Sequence, residues 1–397
     1  MIDSIFIGTS GLQAFSEGLK VIGNNVANLN TPGFKASNSV FSNLYSADPQ
    51  GGSGQPGGEH TQFGGGVTLS QTAVNFRAGE LRQTGNPLDL NVNGEGFFVT
   101  RDKGAAEPVY TRAGQFEFDK DGHLVVRGSE RQVIGLSATG EQIPITLDGL
   151  RLNPPKPTAT IALGGNLSSS VTDFSLASVK VIDAAGGEHS LTLKFTPKTG
   201  ATGTWTVKLM DGTTEVGSGE MQFLGSQPVA GSDSISISYT PAGVSASTLK
   251  LDFSKNVTNF DTGTSSSLAV NTSDGYAVGS LNKIAFDADG TLALSYSNGQ
   301  TAKGAKVALA QFDSTARLVA QGNSGFTYAG HEGMRIGAAS QGGFGSIGSN
   351  QVEGSNVDLA SEFSDLIVAQ RGYQASSRIV STASELLQDL FDMKGHR

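Results

Sequence analysis

The pattern F-D-x-D-G-x-L occurs twice, at residues 118–124 and 286–292, and each copy sets two carboxylates beside a glycine. Such a run could ligate calcium, and the pair Asp119/Asp121 could in principle serve a glycosidase. Neither reading survives counting. An EF-hand loop with Gly122 in sixth place begins at Glu117 and puts Gly128 where the bidentate glutamate belongs; the second copy begins at Ala285. Tight-turn chemistry accounts for both copies. His60, His123, His189, His331 and His396 include no pair at helical ligand spacing, cysteine is absent, and no G-x-S-x-G elbow occurs. These absences argue against zinc, thiol and serine-hydrolase chemistry, so the reading is of a non-enzyme with no catalytic, metal or cofactor site. G-x-G-x-x-G occurs at 52–57 and 343–348, but neither copy stands between a strand and a helix. With so many glycines, chance supplies about one such match, and both read as flexible connectors.

Composition narrows the partners. The 397 residues carry Lys+Arg 27 against Asp+Glu 36, a net charge of −9. No basic stripe exists to displace nucleic-acid counterions or to meet anionic lipid. The chain begins "MIDSIFIGTSGLQAF", with Asp3 in place of a basic segment and only a short apolar run, which is unlike a secretory leader. No stretch approaches the apolar length of a membrane span, so no membrane insertion is expected. Fifty-four glycines favour strands joined by tight turns.

Positioning elements stand at both ends. Ile5, Leu12, Leu19 and Val26 fall seven apart, and Gly8, Phe15, Ile22 and Leu29 follow each by three. That is a heptad pattern, open to two readings: a coiled-coil seam, or an amphipathic helix packed on its own domain. Near the other end Leu359, Leu366, Tyr373, Val380 and Leu387 repeat the spacing, flanked by Phe363, Ala369, Ser376, Ala383, Leu390 and Phe391. "SNVD" at 355–358 supplies a capping-box-like entry. Two heptad helices most simply pair with each other. Their remaining faces hold Ser10, Gln13, Ser16, Asn24 and Asn25, and Gln370, Gln374, Ser376 and Ser377, with few charges. A solvated helix usually carries Lys and Glu, so these faces suit contact with other protein. The asparagines of "GNNVANLN" (Asn24, Asn25, Asn28, Asn30) are poor helix formers. Either their amides bond between copies of the chain, or they cap the helix before "TPG" ends it.

The middle changes to a period of two. "NPLDLNVNGEGFFVT" and "YTRAGQFEFDKDGHLVV" alternate apolar residues around an Asp121–Gly122 turn, a hairpin signal repeated around Asp289–Gly290. Between them, residues 155–272 open on "NPPKP" and hold short strands near 179–182, 191–195, 205–209, 235–239 and 249–253, with Trp205 in the core. The expected fold is mainly β with α-helical termini paired as a coiled coil, and two nested β domains, the second inserted in the first. The expected organisation is an N-terminal helix and turn at 1–45, forming an inner core with 354–397, and a Gly-rich connector at 46–72. The first β domain follows at 73–154, the insertion at 155–272, the resumed first β domain at 273–345, and a linker and helix at 346–397.

"SGLQAFSEGLKVIGNNVANLNTPGFKAS" closely resembles the N-terminal signature of the bacterial flagellar rod and hook axial family. "TGNPLDLNVNGEGFFV" with "YTRAGQFEFDKDGHLV" is similar to its central signature, and "SNVDLASEFSDLIVAQRGYQASSRIVSTASELLQDL" to its C-terminal one. The resemblance covers about the first 135 and last 45 residues. It implies a self-assembling helical tube whose inner core is formed by the terminal helices. It implies export by the flagellar type III apparatus without a cleaved leader, and a place outside the cell among rod, hook–filament junction and hook-cap proteins. The insertion favours a hook subunit, in a curved flexible joint passing motor torque, over a distal-rod-like protein. A secreted β-rich adhesin is the reading from another class. "NNVAN" and "AQRGYQ" are the segments carried over as subunit contacts; with the heptad residues, the expected assembly residues are Ile5, Leu12, Phe15, Leu19, Ile22, Asn24, Asn25, Val26, Asn28, Leu29, Leu359, Leu366, Gln370, Arg371, Tyr373, Val380 and Leu387. The glycines Gly8, Gly11 and Gly18 weaken the first helix, which suits helices ordered only on assembly.

Overall fold

The computed structural model describes residues 2–46, 63–330 and 332–395. The glycine motif at 52–57, His60, His331 and His396 lie outside the described residues. Two helices, α1 (Ile2–Ala27) and α2 (Leu359–Gly395), frame strands throughout the middle. The chain is mainly β, its terminal helices pair, and it divides into two compact units.

The first unit comprises residues up to Asp148, Ile284–Ala293 and Lys303 onward. Helix α1 ends at Ala27 and tightens into a turn over residues 28–30, ahead of Pro32, and Asp358 caps α2 by accepting the Ala360 N–H at 2.9 Å. After α1 the chain forms a two-stranded antiparallel hairpin, β1 (Ser37–Ser46) with β2 (Phe63–Val74). Residues 63–72, read above as connector, thus extend as a strand; "FGGG" gives no alternation to announce it. The β domain's core holds Phe97, Val99, Tyr110, Ile134, Phe312 and Phe326, and Phe76 packs edge-on against Phe97 and Phe326. Both F-D-x-D-G-x-L copies close the same turn. Asp119 N–H donates to His123 C=O at 2.9 Å and Asp287 N–H to Thr291 C=O at 3.0 Å, with Gly122 and Gly290 at φ +87° and +77°. Only glycine adopts that conformation without strain, which is why the motif carries it. Leu90–Asn93 pairs with Ser346–Ser349, and Leu81–Gln83 with Gln351–Glu353. The second glycine motif, 343–348, therefore runs into a strand and is not a free connector.

The second unit, Gly149–Lys283 with Leu294–Ala302, is a β sandwich. One sheet is built from Phe174–Ile182, Glu188–Pro197, Thr204–Asp211, Thr214–Leu224 and Gln227–Pro228. The other combines Thr160–Asn166, Ser234–Tyr239, Ser247–Asp252, Val257–Thr258 and Ala269–Ser273. Their inner faces bury Trp205, Phe195, Phe253, Leu249 and Tyr239. A Cβ on Gly217 or Gly219 would stand 2.3 Å from Ile237 or Ile235, so these glycines let the sheets close.

Candidate assembly surface

The helices run antiparallel, and glycine sets their separation. A Cβ on Gly8 would lie 2.7 Å from Val380 Cγ2, one on Gly11 2.6 Å from Ser376 Oγ, and one on Gly372 2.5 Å from the Phe15 ring. The reason for these residues is close approach, a tertiary demand; for Gly8 and Gly11 the sequence alone suggests only weak helicity. On its flank α1 meets the hairpin. Ser10 Oγ accepts the Val67 N–H at 3.3 Å, and the Phe15 and Phe41 rings pack with centroids 5.9 Å apart.

At the head of the pair the polar residues interlock. Asn25 is 1% exposed; its amide donates to Ser37 C=O at 2.8 Å and to Glu362 Oε1 at 2.9 Å, and its oxygen accepts the Ser37 N–H at 3.0 Å. Asn28 donates to Asn24 C=O at 2.9 Å and accepts from Thr31 Oγ1 at 3.1 Å, closing the helix end. Of the two readings given above, Asn28 follows the second by closing the helix end, while the Asn25 amide has its partners within one chain, on Ser37 and Glu362. The cost of asparagine in a helix is offset by locking α1 to the strand and helix that follow it in space. Burial raises the Glu362 carboxyl above its ordinary range, opposed by the Asn25 bond and reinforced by Asp365 and Asp358.

Beside this knot lies a buried ion cluster that the sequence reading missed. Glu353 accepts from Lys35 Nζ and from the Gly79 N–H at 2.9 Å through one oxygen, and from Arg112 Nη1 at 3.3 Å through the other. Arg112 also donates to Val92 C=O at 3.1 Å and Gly94 C=O at 2.8 Å, and its guanidinium lies 5.1 Å from the centre of the Phe97 ring. Burial pulls the Lys35 and Arg112 pKa values down, and the Glu353 charge opposes that. Asn356 joins the same region by accepting the Ala36 N–H at 2.8 Å and donating to Asn75 C=O at 2.7 Å. Lys35, Arg112 and Glu353 each sit within two residues of a glycine in segments quoted above or adjoining them; charge in an otherwise weakly charged motif was the available signal.

The expected contact residues divide by burial. Ile22 is buried; Ile5, Leu12, Phe15, Leu19, Val26, Leu29, Leu359, Leu366, Val380 and Leu387 are half-buried; Asn24, Gln370, Arg371 and Tyr373 are exposed. The α2 seam is Glu362, Ala369, Ser376 and Ala383, all buried. Phe363, expected beside the seam, is 53% exposed, and Ser376, expected also on the open face, is 8% exposed because Gly11 packs on it. Outside the seam α2 is exposed, and among its polar residues stand bare apolar side chains: Ile367 51%, Val368 66%, Leu386 51% and Phe391 68% exposed. Asp119, Asp121 and His123 bring ligand atoms within 4.8 Å of one another, but Asp119 Oδ1 is engaged by the His123 N–H at 2.8 Å as part of the turn. No helix among the described residues is long and apolar enough to cross a membrane.

Three family matches fall on these segments. Residues 5–35 match the flagella basal body rod protein family, 91–154 the flagellar hook protein FlgE/F/G D1 domain, and 349–393 the flagellar basal body rod FlgEFG protein C-terminal family. The chain is 30% identical to the flagellar hook protein FlgE of Rhizobium meliloti, covering 98% of each. It is 28% identical to that of Borreliella burgdorferi, covering 99% of this chain and 100% of the relative. A crystal structure of Helicobacter pylori flagellar hook protein FlgE2 aligns with TM-score 0.48 and 13% identity over 67% of this chain and 98% of that one.

Proposed function

Because the chain belongs to the flagellar hook protein family and is a structural subunit of the hook, we propose that its helix pair is the contact layer through which copies build the tube. The observation that carries this is the set of exposed apolar side chains on α2. Phe363, Ile367 and Val368 are each more than half exposed on one helix of a single chain. Exposed apolar side chains of this size in a self-associating protein mark where the next copy sits. The heptad residues Ile5, Leu12, Leu19, Leu366 and Val380 hold the pair together, and Asn24, Gln370, Arg371 and Tyr373 face neighbours.

The test is the double variant Phe363→Glu/Ile367→Glu. Both side chains are exposed in the lone chain, so its monomer should unfold like the unmodified protein, within about 0.5 kcal/mol. Electron microscopy of concentrated protein should show tubes from the unmodified chain and none from the variant. Tubes of normal yield from the variant would remove this face from the contact layer.

The proposal extends to flagellar partners. Rod proteins at one end, hook–filament junction proteins at the other, the hook cap and the type III export apparatus are the surfaces an exported hook subunit must meet. The polymer is proposed to be curved and flexible and to pass motor torque to the filament. Cells lacking this chain should stop at the rod; hooks on such cells would refute the assignment.

A further inference from the structure

Helix α2 carries a second heptad row, on the side away from α1. Ile367, Gln374, Ser381 and Gln388 fall seven apart, and Arg371, Arg378, Glu385 and Asp392 fall seven apart between them. All eight are exposed. Together they form a seam with alternating steps of three and four, the spacing that two helices need to lie along each other. The charges along it are segregated: two arginines toward the middle of the helix, two carboxylates toward its C-terminal end. None of the four is in an ion pair among the described residues. Asp392 also sits in the last turn, where the helix dipole disfavours a carboxylate and makes an outside cation welcome.

We propose that this row sets the register between neighbouring subunits: α2 of a second copy lies parallel to the first and is displaced by two heptads, about 21 Å along the axis. That one shift places Arg371 against the neighbour's Glu385 and Arg378 against its Asp392, with Gln374 beside its Gln388. The inference rests on the hook-subunit reading and adds the identity and stagger of the contact. Sequence arithmetic alone also permits an antiparallel match, Arg371 with Asp392 and Arg378 with Glu385. That arrangement is self-complementary, satisfies every charge in one pair and closes as a dimer. The parallel arrangement leaves an arginine pair free at one end and a carboxylate pair free at the other, so it propagates, as an open tube requires.

The chain has no cysteine, so disulfide mapping has no background. Gln374→Cys/Gln388→Cys, assembled and then oxidised, should give a ladder of covalent trimers, tetramers and higher species. The two sites are too far apart on one rigid helix to close within a chain. Dimers alone, or no cross-link in tubes of normal appearance, would overturn the register and leave the hook assignment standing. Failure of the unmodified chain to form tubes would instead strike the assignment itself. Charge reversal supplies the second measurement. Arg371→Glu/Arg378→Glu should lose sedimentable polymer, and adding Glu385→Arg/Asp392→Arg in the same chain should restore it. Assembly of the first variant at the unmodified level, or no recovery in the combined one, would overturn the proposal.

Discussion

Removing Glu353 probes the joint between the helix pair and the β domain. Its carboxylate is 1% exposed and faces Lys35, itself 1% exposed, and Arg112, 9% exposed. Glu353→Ala therefore strands two cations and the Gly79 N–H in a site that water does not reach. Uncompensated buried charge of this kind costs about 3–5 kcal/mol. Domains are stable by only about 5–15 kcal/mol, so the change consumes a large fraction of the first unit's stability. Urea titration of the monomer followed by far-UV circular dichroism should report it. Trp205, the sole tryptophan, lies in the core of the second unit and gives a fluorescence control that should not move. Coupling sharpens the test. Lys35→Met should be strongly destabilising alone but should add little on top of Glu353→Ala, because the ion that Lys35 would strand is already gone. A loss below about 1 kcal/mol, or strict additivity of the two changes, would refute the claim that the cluster acts as one buried unit.

Three further outcomes follow from the same structure. Gly372→Ala should destabilise the monomer by about 1–2 kcal/mol although alanine is the better helix former, because the new methyl meets the Phe15 ring; a more stable variant in thermal unfolding would show that the ring yields freely. Asn25→Ala should cost about 2 kcal/mol by leaving the Ser37 N–H and C=O unpartnered, measured by urea unfolding; a neutral result would mean that water replaces the amide. Burial, with Asp211 accepting its hydroxyl at 3.0 Å, pushes the Tyr239 pKa up to about 12 from the ordinary 10.0. The folded state then holds a proton that the unfolded chain releases, so this stabilisation is complete below pH 10.0 and falls as pH rises toward about 12. Tyr239→Phe should flatten the alkaline decline of the second unit's melting temperature, and an unchanged slope would contradict the assignment.

The elements that the sequence announces are those whose signal is local. Heptads at both ends gave two helices, and the Asp-Gly turns gave hairpins whose glycines do take positive φ. Alternation in 155–272 gave a sandwich with Trp205 inside. The β1–β2 hairpin was not legible, because three successive glycines in "FGGGVTLSQTAV" erase the alternation that marks a strand.

The site divides along the same line. Which residues line a helix seam follows from a period of seven, a property of neighbours in the chain. Which group each polar residue meets does not. Asn25 bonds a residue 12 positions on and another 337 positions on, and Lys35 meets a carboxylate 318 residues away. No local pattern encodes those partners, since many arrangements place a polar side chain on the same face. The sequence determined the helices, the nested β architecture and the family signatures. Tertiary packing decided that Gly8, Gly11 and Gly372 are spacers, that Glu362 and not Phe363 enters the seam, and that Asn25 and Asn28 bond within their own chain. A buried donor or charge must find its partner inside the fold, and only the folded chain brings that partner within reach.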